Sequence, residues 1–414
     1  MTPSARLAAV IDILNALETS NAPADQSLRQ WGRANRYAGS KDRAAIAERV
    51  FAVLRHRASF AFRMGSETSR AQVIASLLAE GESESEIAAL FSGDRYAPPP
   101  LTPDEIDAIA NAPTNPQPHV TGEYPQWLEP ELLRFAGEYL PEEMHALQLR
   151  APIDLRVNTL KATRDEVLSA LRAAGYDASP THFSPLAIRI PAGAKDLEQT
   201  DAFTSGQFEF QDEAAQIACI LANPMPGERV LDIAAGAGGK SLALAALMNG
   251  QGAIVAEDIA ANRLARLAPR AERAGVTIVS ENGGGGFDLV FVDAPCSGSG
   301  TWHRQPEQKW RLTPERLAEL HTIQDTLLDT AAARVKPGGR ILYATCSILP
   351  SENDDRVSAF LTRHPDFTIK DARAAWAESQ GSSRPSPGMA EYFRASTLLN
   401  ETDGFFAAIL VHKT

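Results

Sequence analysis

From Phe208 onward the sequence alternates short apolar runs with helix-period stretches: Arg229 to Ile233, Ala253 to Ala256, Val276 to Val279, Asp288 to Val292 and Arg340 to Ala344, most of them followed by a helical pattern. A run that is apolar at every position, instead of every second one, must be buried on both faces. That happens in parallel sheets whose crossover helices cover each side. The pattern predicts an α/β domain over residues 208–414, with Asp403 to Val411 as a closing strand. In open sheets of this kind ligands bind beyond the carboxyl ends of the strands, so the residues that follow each run are the first candidates for chemistry.

Upstream the texture differs. Between Arg6 and Phe91 apolar residues recur at helical spacing, as in Leu7, Val10, Ile11, Leu14 and Leu17 and again in Ala45, Ile46, Val50, Val53 and Leu54, which predicts an all-α domain. A breaker-rich stretch from Asp94 to Pro125, with eight prolines, ends it and places the first domain at 1–120. Residues 121–207 read as a small α/β module. A strand is expected at Ile153 to Val157 and another at Leu186 to Ile190, and a helix is opened by Thr163 with Glu166 three residues on, the spacing of a reciprocal cap.

No stretch reaches the roughly 18 to 20 uninterrupted apolar residues that a membrane span needs. The first residues run at once into an amphipathic pattern with Asp12 and Glu18, unlike a signal peptide, so a cytoplasmic, non-membrane protein is expected, and a monomer. Three cysteines in 414 residues cannot form a disulfide framework, and none sits at zinc spacing, so no metal is expected and each must be explained singly. The net charge of −12 argues against indiscriminate coating of nucleic acid, but it hides an uneven distribution. Residues 1–70 carry eleven Lys and Arg against six acids, while residues 71–150 carry three against fourteen. The basic segment is either a solvated helical surface or a face that meets phosphates.

The run Val230-Leu231-Asp232-Ile233 leads into Ala234-Ala235-Gly236-Ala237-Gly238-Gly239-Lys240-Ser241 and a helical pattern, a strand, turn and helix that exposes backbone amides. A phosphate-binding P-loop would need Gly where Ala234 stands, and a dinucleotide fingerprint would need Gly or Ala at Ser241. Asp258, after the next strand, suits a ribose in either NAD or S-adenosyl-L-methionine. Asp232 separates the two, because a carboxylate before the loop attracts an ammonium and repels a pyrophosphate, while Lys240 balances a single carboxylate. S-adenosyl-L-methionine is therefore the expected cofactor.

Two cysteines follow their strands directly: Cys296 in Asp293-Ala294-Pro295-Cys296-Ser297-Gly298, and Cys346 in Thr345-Cys346-Ser347. If the strands are neighbours, about 4.8 Å apart, the thiols share one site. Cys219, inside a helical pattern, reads as core filling. Two thiols beside a methyl donor suit one reaction. Carbon 5 of cytosine is too electron-poor to attack a sulfonium methyl, but a thiolate added to carbon 6 makes carbon 5 nucleophilic. A second group then helps release the product.

Together with Lys309-Trp310, Lys336-Pro337-Gly338-Gly339 and Tyr343-Ala344 before Thr345, followed by Glu352-Asn353, these motifs resemble the RsmB/Sun family of RNA cytosine-5 methyltransferases over about Phe208 to Val411. The resemblance implies a Rossmann-like class I methyltransferase domain, Cys346 as nucleophile and Cys296 as the residue that assists release. It also implies a donor site made by Ala234, Ala235, Gly236, Ala237, Gly238, Gly239 and Lys240, with Asp258 on the ribose, Asn282 near the adenine and Asp293 between donor and base. Arg36 to Arg43 is similar to the NusB-like RNA-binding domain of the bacterial RsmB branch, and Leu155 to Thr159 to the entry of the family's small RNA-binding module, so the implied partner is RNA of the small ribosomal subunit. Two departures stand out. The loop lacks the Cys-Ala-Ala-Pro usual before Gly-Gly-Lys, and Asn282 replaces an Asp, which leaves open a non-catalytic RNA-binding assembly factor that binds the donor weakly. Arg304, Lys309 and Arg311 are expected either on RNA phosphates or in a solvated loop.

Overall fold

The computed structural model describes residues 1–414 apart from 21, 280–283 and 382–384. The chain forms two compact units, one of Met1–Leu149 with Trp302–Arg311 and one of Arg150–Thr301 with Leu312–Thr414. Among the described residues no helix is long and apolar enough to cross a membrane.

The first unit is helical. Pro3–Thr19, Ser40–Arg55 and Ser69–Ala79 turn Leu7, Val10, Leu14, Ile46, Val50, Val53, Val73, Ile74 and Leu77 into one core, as the three-and-four spacing requires. Local chemistry sets the helix starts. Thr102 caps Pro103–Ala110 and Ser83 caps Glu84–Leu90, each in a reciprocal pair with a Glu three residues on. Of the basic residues in the first 70, Arg49 pairs with Glu80 and Arg70 with Glu105, whereas Arg29, Arg33, Arg36 and Lys41 are exposed.

Residues Trp302–Arg311 belong to this unit, which corrects the expectation for Lys309 and Arg311. The Lys309 ammonium is buried and donates to the Arg55 carbonyl at 3.3 Å, and Arg311 donates to the carbonyls of Leu17 and Ala22. Burial pushes Lys309 down to about 8, helped by Arg55 and opposed by Glu123. These cations, read as phosphate ligands or solvated charges, are spent on backbone carbonyls, of which those of Leu17 and Arg55 are acceptors that helix ends leave open.

The second unit holds two sheets. The small one comprises β1 (Ile153–Val157), β2 (Ser179–Pro180), β3 (Ala187–Ile190) and β4 (Phe208–Phe210), all antiparallel in the order β2-β3-β1-β4. Thr163 and Glu166 cap the helix Arg164–Ala173 reciprocally, as their spacing predicts. β4 pairs with β1, so residues 208–210 join the small sheet and not the domain that the change of texture at Phe208 suggested.

The large sheet comprises β5 (Arg229–Asp232), β6 (Ala253–Ala256), β7 (Phe287–Asp293), β8 (Val335–Thr345), β9 (Phe367–Lys370), β10 (Phe393–Ala395) and β11 (Phe405–His412). Its order is β10-β11-β8-β7-β5-β6 with β9 also on β11. The neighbours from β6 to β8 are parallel, and β11 is reversed. The strand expected at Val276 to Val279 shrinks to a single bridge between Val279 and Val255 at the edge. Both faces are dry. Val230, Leu289, Phe291, Leu342 and Ala407 point into one core, and Leu231, Val290, Val292, Ile341 and Ala408 into another. Alternate residues of one strand serve opposite cores, which is why the runs are apolar throughout.

The backbones of Gly300 and Gly404 touch: Gly404 donates to the Gly300 carbonyl at 2.9 Å, and a Cβ on Gly300 would lie 1.9 Å from the Gly404 oxygen. Gly300→Ala should therefore lower stability by roughly 1–3 kcal/mol, read as a reduced urea midpoint with unchanged slope.

Candidate active site

The chain leaves β5 for β6 on one side and returns to β7 on the other, so the order of the sheet reverses beside β5. A crevice opens at such a point above the carboxyl ends. The loop after β5 turns sharply there, with Gly236 and Gly238 at φ of 56° and 82°, conformations that only glycine adopts freely. It then enters the helix Gly239–Leu247.

Ala234 to Gly238 lie in this turn, and Gly239 and Lys240 open the helix. The Gly236 amide donates to Asp258 Oδ2 at 2.8 Å and the Ala260 amide to Asp258 Oδ1 at 2.7 Å, so Asp258 shapes the loop and keeps one lone pair on each oxygen. Two arginines hold the loop from outside. Arg156 on β1 donates to the Gly239 carbonyl at 2.8 Å, and Arg270 donates to the Ala237 carbonyl at 2.7 Å while pairing with Glu209 on β4. The small sheet thus braces the loop, a role for Arg156, Glu209 and Arg270 that sequence reasoning missed. The Leu155 to Thr159 motif was its one visible trace.

Asp232 is fully buried, and its Oδ2 accepts from Ser241 Oγ at 2.6 Å while Oδ1 has no partner. Burial pushes the group up to about 7, with Asp293 and Asp258 adding to the rise and the Ser241 hydrogen bond opposing it. Lys240 Nζ lies 2.5 Å from Asp293 Oδ2, at the end of β7. Burial alone would depress this ammonium, but Asp293 and, more weakly, the sulfurs of Cys219 and Cys346 raise it above its ordinary value.

The cysteines meet. β7 and β8 are parallel neighbours with Asp293 opposite Ala344, and Cys296 Sγ lies 3.4 Å from Cys346 Sγ, both half-buried. The Cys346 sulfur, burial and the charges of Cys346 and Glu352 push the Cys296 thiol well above its ordinary value. Cys219 is buried in the helix Glu213–Leu221 and burial pushes it up to about 12, an inert thiol. Asn282 lies outside the described residues. Among those described, no group of three or more His, Cys, Asp or Glu could hold a metal ion.

A Rossmann-like sheet with a reversed strand β11, a glycine loop at the switch point and paired thiols at two strand ends defines the class, a methyltransferase-type fold. Residues 219–411 match the family described as 16S rRNA methyltransferase RsmB/F, and residues 124–195 match its ferredoxin-like domain. The chain belongs to the RsmB/Sun family. It is 33% identical to the ribosomal RNA small subunit methyltransferase B of Salmonella newport over 303 residues, which is 70% of this chain and 66% of that protein. Over 99% of both chains it superposes on the crystal structure of PH0851 with a TM-score of 0.79 and 26% identity. A methyltransferase homologue from Pyrococcus horikoshii matches 71% of this chain and 97% of its own at a TM-score of 0.60 and 25% identity.

The Asp232 carboxyl gives a pH test. Its value rises on folding from 3.8 to about 7, so between those limits the folded chain holds a proton that the unfolded chain has released, and stability falls as pH rises. Asp232→Asn removes this contribution. Its stability relative to the native chain should increase progressively from about pH 4 to about pH 7 and level off above, measured by urea unfolding across that range.

Proposed function

We propose that the protein transfers a methyl group from S-adenosyl-L-methionine to carbon 5 of a cytosine in RNA, through a covalent bond between Cys346 and the ring. The observation that carries the reading is the 3.4 Å separation of the two thiols at the ends of adjacent parallel strands. Cys346 adds to carbon 6, which makes carbon 5 nucleophilic. After methylation a solvent water takes the carbon 5 proton, the electron pair of that bond re-forms the ring double bond, and the carbon 6–sulfur bond breaks to return Cys346 as a thiolate. We assign assistance in the release step to Cys296, whose sulfur lies beside that of Cys346.

The donor, when bound, supplies an electrophilic methyl group. The residues present fit it: Asp232 Oδ1 is a buried acceptor with no partner, suited to an ammonium, and Asp258 retains acceptor capacity for a ribose beside residues 234–240. Asp293 stands between that loop and the thiols, paired with Lys240. The substrate class rests on the relatives, since the Salmonella protein is by name a methyltransferase of small-subunit ribosomal RNA. We assign RNA binding to the helical unit, with exposed Arg29, Arg33, Arg36 and Lys41, and to the small sheet β1 to β4, and catalysis to the large sheet and its loops, in a cytoplasmic monomer.

Cys346→Ala should abolish methyl transfer to deproteinised small-subunit RNA, and Cys296→Ala should accumulate a protein–RNA adduct that survives a denaturing gel. Methylation retained by Cys346→Ala overturns the nucleophile assignment. Turnover by Cys296→Ala without an adduct overturns the release role.

A further inference from the structure

Glu352 has no role in the scheme above, yet its carboxyl is fully buried between the two cysteine loops. Oε1 accepts from the Ser297 amide at 2.8 Å and from Gln324 Nε2 at 3.0 Å. Oε2 accepts from Ser297 Oγ and Ser347 Oγ, each at 2.5 Å. Ser297 follows Cys296 and Ser347 follows Cys346, so two oxygens of one side chain grip the residue after each thiol. Gln324, on the helix Pro314–Arg334, also donates to the Pro295 carbonyl at 2.9 Å and ties the residue before Cys296 to the same carboxyl. On the Cys346 side, the Tyr343 hydroxyl donates to the Glu352 carbonyl at 2.6 Å, and Asn353 accepts from Thr345 Oγ1 and donates to the Ser347 carbonyl.

We propose that Glu352 is the positioning residue that fixes the separation of the Cys296 and Cys346 thiols by binding both of their loops through one carboxyl group. All four donors are neutral groups. A buried carboxyl held this way is expensive to desolvate, and an apolar side chain of equal volume would pack the same space at lower cost. What an apolar side chain cannot do is collect four donors from three segments, which two carboxyl oxygens with four lone pairs do completely. The geometry matters because carbon 5 and carbon 6 of the ring are bonded to each other. The sulfur on one and the group that serves the other must therefore sit a few ångströms apart, and displacements of about 1 Å cost about 100-fold in rate.

This inference rests on the cytosine-methylation reading, and its test separates the two. Methyl transfer by native protein, Glu352→Ala and Glu352→Gln is measured alongside the rate at which hydrogen peroxide joins Cys296 to Cys346. In that step two thiols become a disulfide and the peroxide is reduced to two waters, seen as a loss of two hydrogens by mass spectrometry. Glu352→Ala should lose about 100-fold in kcat with little change in donor KM, and should form the disulfide correspondingly slowly. Glu352→Gln should keep most of both rates, because its amide oxygen still takes the Ser297 and Gln324 donors and the serine hydroxyls can turn to accept from its NH2 group.

Native rates of methylation and disulfide formation in Glu352→Ala overturn the proposal, as does a Gln variant no better than Ala. Should Glu352→Ala not fold, the Ser297→Ala, Ser347→Ala double variant removes the two hydroxyl donors and must show the same slowing of both rates, or the proposal falls. If native protein forms the disulfide rapidly, Glu352→Ala forms it slowly, and neither methylates RNA, the positioning role stands and the methylation reading falls.

Discussion

The pairing of β7 with β8 is the interaction on which the site depends. Two strands separated in sequence by the helix Pro314–Arg334 lie side by side with Asp293 opposite Ala344, and the ladder continues past the last paired residues through the Ala294 amide and the Ala344 carbonyl at 2.9 Å. Register decides the chemistry. Because Cys296 and Cys346 sit three and two residues beyond this last pair, a slip of one residue would send alternate side chains to opposite faces and separate the thiols. The apolar residues of both strands hold that register by filling two cores at once.

The electrostatics of the crevice follow from the same layout. β5, β6 and β7 each deliver an acid near the switch point, namely Asp232, Asp258 and Asp293, and one lysine lies among them. Asp293 takes the lysine, and Asp258 is occupied by backbone amides. Asp232, deepest of the three, shares only a serine hydroxyl, and its raised value is the consequence. Arg263 also lies 3.7 Å from Asp258, so three acids face two cations, and the acceptor left without a partner on Asp232 favours a group that brings its own positive charge.

The sheet, the glycine loop and the thiol pair were legible in the sequence because each depends on short-range pattern: apolar runs, glycines before a helix, cysteines immediately after strands. The supports of the site were not. Arg156 looked like one residue of a strand, and its grip on the Gly239 carbonyl depends on the packing of the small sheet against the loop, which no local pattern encodes. Glu352 stood in a recognisable motif, but its function is visible only once Ser297, 55 positions away, is folded beside it. Lys309 and Arg311 misled for the opposite reason. Charge alone suggests a solvent or phosphate partner, whereas here the partners are carbonyl groups of the helical unit.

That last arrangement has a bearing on how the chain is made. The helical unit is assembled from residues 1–149 and a ten-residue piece, Trp302–Arg311, that supplies the Glu307 carboxyl to the Ala24 amide and the Trp310 indole to the Leu54 carbonyl. During synthesis its first part emerges early and must wait for the ribosome to deliver the missing piece, a delay of roughly 10–30 s at common elongation rates. Until then the ends of its helices lack those partners, so the unit that is translated first is among the last to be finished.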